Sequence, residues 1–206
     1  MEKKRITRVT TRSGDQGKSR LATGRLVEKS SHSIRCLGGL DELNSSLGIA
    51  VSYITDQNVL KAIAEIQQTL FDAGAMIALE GESEPINIEN LEDQIELENK
   101  ALPPLQEFVI PGGNHGCAHL HLSRAICRRV EIDLWDLQKE NPNYQTLAVY
   151  LNRLSDYLFI AARKISDDEP QWRGPKKGKR LKRLISPNKR VNEFIKRPPS
   201  APLITR

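Results

Sequence analysis

Ile34-Arg35-Cys36-Leu37-Gly38-Gly39-Leu40-Asp41-Glu42-Leu43-Asn44-Ser45-Ser46-Leu47-Gly48 returns an apolar or small residue every three or four positions. That is the period of an amphipathic helix, and nothing in the stretch alternates as a strand would. The reading predicts a helix over His32–Ile54 with Ile34, Leu37, Asp41, Asn44 and Gly48 on one core-facing row, bordered by Leu40, Leu47 and Val51. Asp41 stands out, because a carboxylate among core residues is costly unless it is paired. Outward from this stretch the same period recurs. Leu60, Ile63, Ile66, Leu70 and Ala73 predict a second helix over Asn58–Leu79, and Leu91, Ile95 and Leu97 a weaker, acid-rich one over Ile88–Leu102. Pro103-Pro104 ends that third helix, since proline lacks the donor and clashes with the preceding turn. Phe108-Val109-Ile110 is a short apolar run closed by the turn Pro111-Gly112-Gly113. Asn114 is a candidate N-cap for a fourth helix to about Leu137, and Leu147, Leu151, Leu154, Leu158 and Ala161 mark a fifth over Asn143–Ile165. Helices joined by short connections predict an all-α fold, a five-helix bundle.

Charge divides the 206 residues differently. The net +5 arises from 31 Lys/Arg against 26 Asp/Glu. From Arg173 onward the chain carries 12 Lys/Arg and one acid, Glu193, so the tail is +11 and the remainder −6. The expected organisation is a loop-rich segment over 1–29 that belongs to the main domain, a bundle over 30–172, and a basic tail over 173–206. With its charge and prolines, the tail is expected to be disordered. The start, Met1-Glu2-Lys3-Lys4-Arg5, has no apolar segment behind it, and no apolar run reaches membrane-spanning length; both point to a cytoplasmic protein with no membrane partner. Cys36, Cys117 and Cys127 all fall in helical stretches, an odd count that reads as reduced core thiols.

Thr10-Thr11-Arg12-Ser13-Gly14-Asp15-Gln16-Gly17-Lys18-Ser19 has the glycines, hydroxyls and cations of a phosphate-binding turn. A P-loop it is not: Arg12 stands where that motif needs glycine, and no apolar strand precedes it. Residue chemistry leaves an anion-binding turn and an ordinary polar turn both open. On the fourth helix Arg124, Arg128 and Glu131 lie at i, i+4 and i+7, hence on one face, and Asn152 and Asp156 are i, i+4 on the fifth. These groups can converge on one pocket, or be solvated faces. His115 and His119 are i, i+4 but lack the glutamate of a zinc-protease helix, so no metal site is expected.

Five blocks taken in order resemble the PduO-type cobalamin adenosyltransferases: Thr11–Gly17, Leu37–Asn44, Phe108–Gly113, Ser123-Arg124-Ala125-Ile126-Cys127-Arg128-Arg129-Val130-Glu131, and Tyr150–Phe159. The resemblance covers residues 8–166. It implies transfer of the 5′-deoxyadenosyl group of ATP to the cobalt of cob(I)alamin, with release of triphosphate. It also implies a homotrimer with ATP at subunit interfaces, Mg2+ on the nucleotide, an electron-donating reductase and a cobalamin-dependent acceptor enzyme as partners. Carried over residue by residue, Thr11, Arg12, Ser13, Gly14, Ser19, Arg20 and Lys29 would hold ATP from the N-terminal segment. Arg128, Arg129, Val130, Glu131, Ile132 and Asn152 would complete that site. Asp41 and Arg124 resemble an intersubunit ion pair beside the corrinoid, and Phe108 the residue that pushes the lower axial base from cobalt. Phe108, Asp41, Arg124 and Arg128 are therefore the expected catalytic set.

Two positions depart from the family pattern: Arg20 replaces a small hydroxyl residue, and Ile132 follows Glu131 where arginine is usual. The alternative is a non-catalytic bundle, associated with a nucleotide or through its basic arm with nucleic acid. The tail argues against nucleic acid, because Phe194 is its only aromatic and stacking on single strands needs several.

Overall fold

In the computed structural model, which describes Thr10 and residues 12–174, five helices follow a short hairpin. The hairpin pairs β1 (Lys18–Arg20) antiparallel with β2 (Leu26–Glu28) in the register Lys18↔Glu28, Ser19↔Val27 and Arg20↔Leu26. The helices are α1 (His32–Val51), α2 (Gln57–Ala78), α3 (Glu89–Lys100), α4 (His115–Glu140) and α5 (Gln145–Lys164), with a single 3-10 turn at Pro142–Tyr144 before α5. The all-helical bundle is as expected from the apolar period. The hairpin is an addition, too short at three residues a strand to leave an alternating pattern. The basic tail beyond Gly174 lies outside the described residues.

The core runs between α1, α2, α4 and α5, and each helix supplies one stripe. Cys36, Leu40, Leu43, Leu47 and Ala50 come from α1; Ile63, Ile66, Leu70, Ala73 and Ile77 from α2; Leu120, Cys127, Leu134 and Leu137 from α4; Leu147, Leu151, Leu154 and Leu158 from α5. On α1 this corrects the expected face. Asp41 and Gly48 are exposed, while Asn44 is buried and exchanges hydrogen bonds with Gln67 of α2 at 3.1 and 3.2 Å. The true row begins one residue away, about 100° round the helix, and holds the leucines that had been assigned to its border. Burying them removes more apolar surface from water than burying Asp41 and Gly48 could.

The contact between α1 and α4 is close because small residues line it. A Cβ on Gly39 would sit 2.7 Å from Val130 Cγ2, and Ser46 donates to Ser123 Oγ at 2.9 Å. The starts of α2 and α4 are capped by Asp56, which accepts from Asn58 N and Val59 N at 3.0 and 2.9 Å, and by Asn114, which accepts from Cys117 N at 2.9 Å. α3 buries only Leu91 and is tied to α5 by ion pairs, Glu92 to Arg153 and Glu98 to Lys164 at 2.8 Å each. The three cysteines are free and buried, and burial pushes the Cys36 thiol up to about 12. Among the described residues no helix is long and apolar enough to cross a membrane.

Candidate active site

Phe108 is displayed by backbone, not by packing. Residues 108–110 run extended beside 170–172: Ile110 N–H donates to Pro170 O at 2.7 Å and Trp172 N–H to Phe108 O at 2.8 Å. The Phe108 ring is 75% exposed and has the Trp172 ring 6.1 Å away, inclined at 58°. With Val109 and Pro111 it forms one wall of a 430 Å³ pocket whose other side is His121 and Arg124 of α4 and Phe159 of α5. The Arg124 guanidinium lies 5.4 Å from the Phe159 centroid, so a cation rests on an aromatic face inside a cavity that Gln106, Glu107 and His121 also line. Burial lowers the Arg124 pKa, neighbouring Arg128 lowers it further and Asp156 opposes. His121 is only 5% exposed, and its Nδ1 has no partner. Burial, then Arg124, depresses its pKa, so this imidazole is neutral at pH 7.

Further along α4 the polar groups form a chain. Glu131 Oε1 accepts from Asn152 Nδ2 of α5 and from Trp135 Nε1, both at 3.2 Å. Asn152 Oδ1 in turn accepts from Arg153 Nη1 at 2.8 Å. Arg129 is paired with Glu42 of α1. Arg128, exposed beside it, has no ion-pair partner among the described residues. Val130 points the other way, 1% exposed against Gly39, so its side chain serves the α1–α4 contact and is turned from ligands. Ile132 is 66% exposed on the outer surface.

In the N-terminal segment, Lys29 lies over the turn: a Cβ on Gly14 would be 2.8 Å from its Nζ. Glycine thus leaves room for the ammonium to approach the backbone. Gly17, at φ +76°, lets the chain reverse so that Lys29 N–H reaches Gly17 O at 2.8 Å. Arg12 is also left-handed, at φ +60°. Ser13 is exposed, Ser19 is half-buried in β1, and Thr11 lies outside the described residues. Arg20 is occupied locally, its Nη1 donating to Gly24 O at 2.6 Å across the hairpin turn. The hairpin is fixed to the end of α2 by Ala22 N–H to Ala78 O at 3.0 Å and by Arg25 with Glu80 at 2.6 Å.

The sequence profile of cobalamin adenosyltransferases matches residues 9–165. A cobalamin adenosyltransferase of Cupriavidus metallidurans is 37% identical over 162 residues, which are 77% of this chain and 88% of the relative. A corrinoid adenosyltransferase of Bacillus subtilis is 34% identical over 165 residues, 76% and 85% of the two chains. Among solved structures, a variant PduO-type ATP:corrinoid adenosyltransferase from Lactobacillus reuteri complexed with cobalamin and ATP superposes with a TM-score of 0.74. It shares 30% of its residues, and the match covers 81% of this chain and 100% of that one. The chain belongs to the PduO-type cobalamin adenosyltransferase family.

Within that family the geometry sorts the expected residues into groups. Phe108 and Arg124 share one pocket; Glu131 and Asn152 meet across α4 and α5; Gly14 and Lys29 meet at the hairpin base. Asp41 joins none of these groups and stands exposed on α1. His121, Phe159, Glu42, Trp135 and Trp172 were missed. Spacing held some signal: His121 precedes Arg124 by three residues, and Phe159 follows Asp156 by three, so each lies on a face already marked. Trp172, more than 60 residues from Phe108, gave none.

Proposed function

We propose that this chain transfers the 5′-deoxyadenosyl group of ATP to the cobalt of cob(I)alamin. The observation that carries the reading is the Phe108 pocket, a largely apolar cavity with an exposed aromatic at its mouth and Arg124 within it, in a chain whose family match spans residues 9–165. The cobalt(I) electron pair forms the cobalt–carbon bond at the ribose 5′ carbon as the 5′ carbon–oxygen bond breaks, and triphosphate leaves with the two electrons of that carbon–oxygen bond. No general base is needed. What the protein supplies is alignment and charge. Arg128 and Lys29, neither with an ion-pair partner among the described residues, are the cations for the triphosphate, with Mg2+ arriving as part of the nucleotide. Arg12, Ser13, Gly14 and Ser19 cradle the same group, Thr11 is assigned with them, and Glu131 with Asn152 orients the nucleoside. Arg129, neutralised by Glu42, acts through that pairing, and Arg20 shapes the hairpin. Phe108 faces cobalt, where an apolar ring cannot replace the lower axial base it displaces, so the metal is easier to reduce.

The reading extends to a homotrimer. Leu122 and Ile132, 50% and 66% exposed, lie with Ala118 and Ala125 along one outward row of α4, beside Ile49 of α1 at 48%. Such a row is suited to burial against another copy, which would bring the exposed Asp41 toward Arg124 of a neighbour. Buried free thiols favour a reducing compartment, the cytoplasm. We assign 1–29 to the nucleotide, 30–172 to the bundle and 173–206 to a tail outside the chemistry. A reductase and a cobalamin-dependent acceptor enzyme are the implied partners. The nucleic-acid alternative rests on the tail alone, beyond the family match. The test mixes purified protein with ATP and chemically reduced cobalamin and follows corrinoid absorbance. Conversion to the alkylcobalamin spectrum with stoichiometric triphosphate is expected; cob(I)alamin that reoxidises unchanged would refute the reading.

A further inference from the structure

The pocket's exposed wall has no helix of its own. Phe108, Val109 and Ile110 are backed by the segment that follows α5, through the two backbone hydrogen bonds to Pro170 and Trp172 and the bridge between Val109 and Gln171. That segment is in turn bound at its base with unusual care. Arg163, its side chain 4% exposed, donates from Nε and Nη2 to the two Glu169 carboxylate oxygens at 2.7 and 3.3 Å. The same Nη2 donates to Pro103 O at 2.8 Å, so one guanidinium joins the end of α5, the strap and the connection leading to Phe108. Asn114 reinforces this by donating to Ile165 O at 2.7 Å and Asp167 Oδ2 at 3.2 Å. A forked, buried guanidinium–carboxylate pair fixes angle as well as distance, and such a pair is costly unless its geometry is held.

We infer that residues 166–172 are a strap that sets the position of Phe108, with Arg163 and Glu169 as positioning residues for the corrinoid half of the reaction. This rests on the functional reading above. The strap works through backbone: the clamp fixes Glu169, the next three residues pair with 108–110, and Trp172 closes on the Phe108 ring. The whole strap lies past residue 165, where the family match ends, and neither Arg163 nor Glu169 lines the pocket. A displaced aromatic would still leave ATP bound but would let the lower base return to cobalt. Misplacement of about 1 Å costs on the order of 100-fold in rate when orientation carries the chemistry.

The test is a double-variant cycle in the full-length chain. Glu169→Ala, Phe108→Ala and the pair are compared for adenosylation of cob(II)alamin reduced in the site, for ATP affinity, and for the absorbance of base-off cob(II)alamin. Glu169→Ala is expected to slow turnover by up to about tenfold, no more than Phe108→Ala itself, to lose the base-off spectrum and to keep ATP affinity within about twofold. Added to Phe108→Ala it should cost almost nothing more, because both changes remove one function. Glu169→Gln, which keeps an acceptor for Arg163, should restore part of the rate. If Glu169→Ala does not fold, Trp172→Ala, at a half-exposed ring, carries the same cycle. Losses that multiply in the double variant, or a base-off spectrum untouched by either change, would overturn the strap. A wild-type chain that fails to alkylate cobalt would instead overturn the functional reading, and the strap with it.

Discussion

The Phe108 pocket and the groups proposed to hold the polyphosphate are built in opposite ways. The pocket is assembled from four segments of one chain: the 108–111 loop, α4, α5 and the strap behind them. Of its charged members, Glu107 and Arg124, the arginine is held on an aromatic ring. The polyphosphate groups are scattered, with Lys29 and Gly14 at the hairpin, Arg128 exposed on α4, and Glu131 and Asn152 between helices. Such a pocket can be preformed because helix packing and backbone pairing fix its walls before any ligand arrives. Cations awaiting a polyanion cannot be buried beforehand without a large desolvation cost, so they wait in solvent. The two halves should therefore fail separately.

The largest separation expected is on the nucleotide side. Replacing Arg128 or Lys29 by Ala removes a charge-assisted contact worth about 1.5–3 kcal/mol, and calorimetry should record ATP affinity falling about tenfold or more. Cobalamin affinity should stay unchanged. Loss of both ligands together would break the comparison. Next comes Phe108→Ala, which should leave ATP affinity intact while slowing adenosylation about tenfold when cob(II)alamin is reduced in the site. Pre-formed cob(I)alamin, with no lower base to remove, should be spared; equal losses would deny the ring its role.

Gly39→Ala addresses what holds both halves in register. Its new methyl would meet Val130 Cγ2 at 2.7 Å, and overpacking of this kind costs about 1–3 kcal/mol. A melting point lowered by several degrees is expected; no change would mean that α1 and α4 separate freely. The smallest effect concerns pH. His121 has a pKa below its ordinary 6.5 in the folded chain, so only the unfolded chain takes up this proton as pH falls through 6.5. Stability should be full above that pH and decline below it, and His121→Leu should flatten this part of the denaturation profile. A wild-type profile already flat from pH 7.5 to 5.5 would contradict a buried neutral imidazole.

How much of this was legible depended on what kind of interaction did the positioning. Helix lengths and caps were readable because Leu, Ile and Ala recur at one period and Asn114 and proline punctuate them. The face of α1 was not. Two rows of equal spacing lie side by side there, and attention to Asp41 favoured the wrong one. Arg128 and Asn152 were singled out by spacing along single helices, and Phe108 by resemblance. The strap and Trp172 were invisible because they work through backbone pairing between segments some 60 residues apart, which leaves no local pattern. Arg20, a departure from the family, braces the hairpin turn, and Ile132, the other departure, lies on the outward apolar row of α4.

The chain has two tryptophans, and each marks one half: Trp135 donates to Glu131, and Trp172 packs on Phe108. Fluorescence of the Trp172→Phe and Trp135→Phe proteins, each titrated with ATP and then cobalamin, tests the division directly. ATP should shift the emission of Trp135 and leave Trp172 unmoved, while cobalamin should quench Trp172 the more strongly of the two. An ATP response confined to Trp172, or equal quenching of both by cobalamin, would contradict two separately built halves.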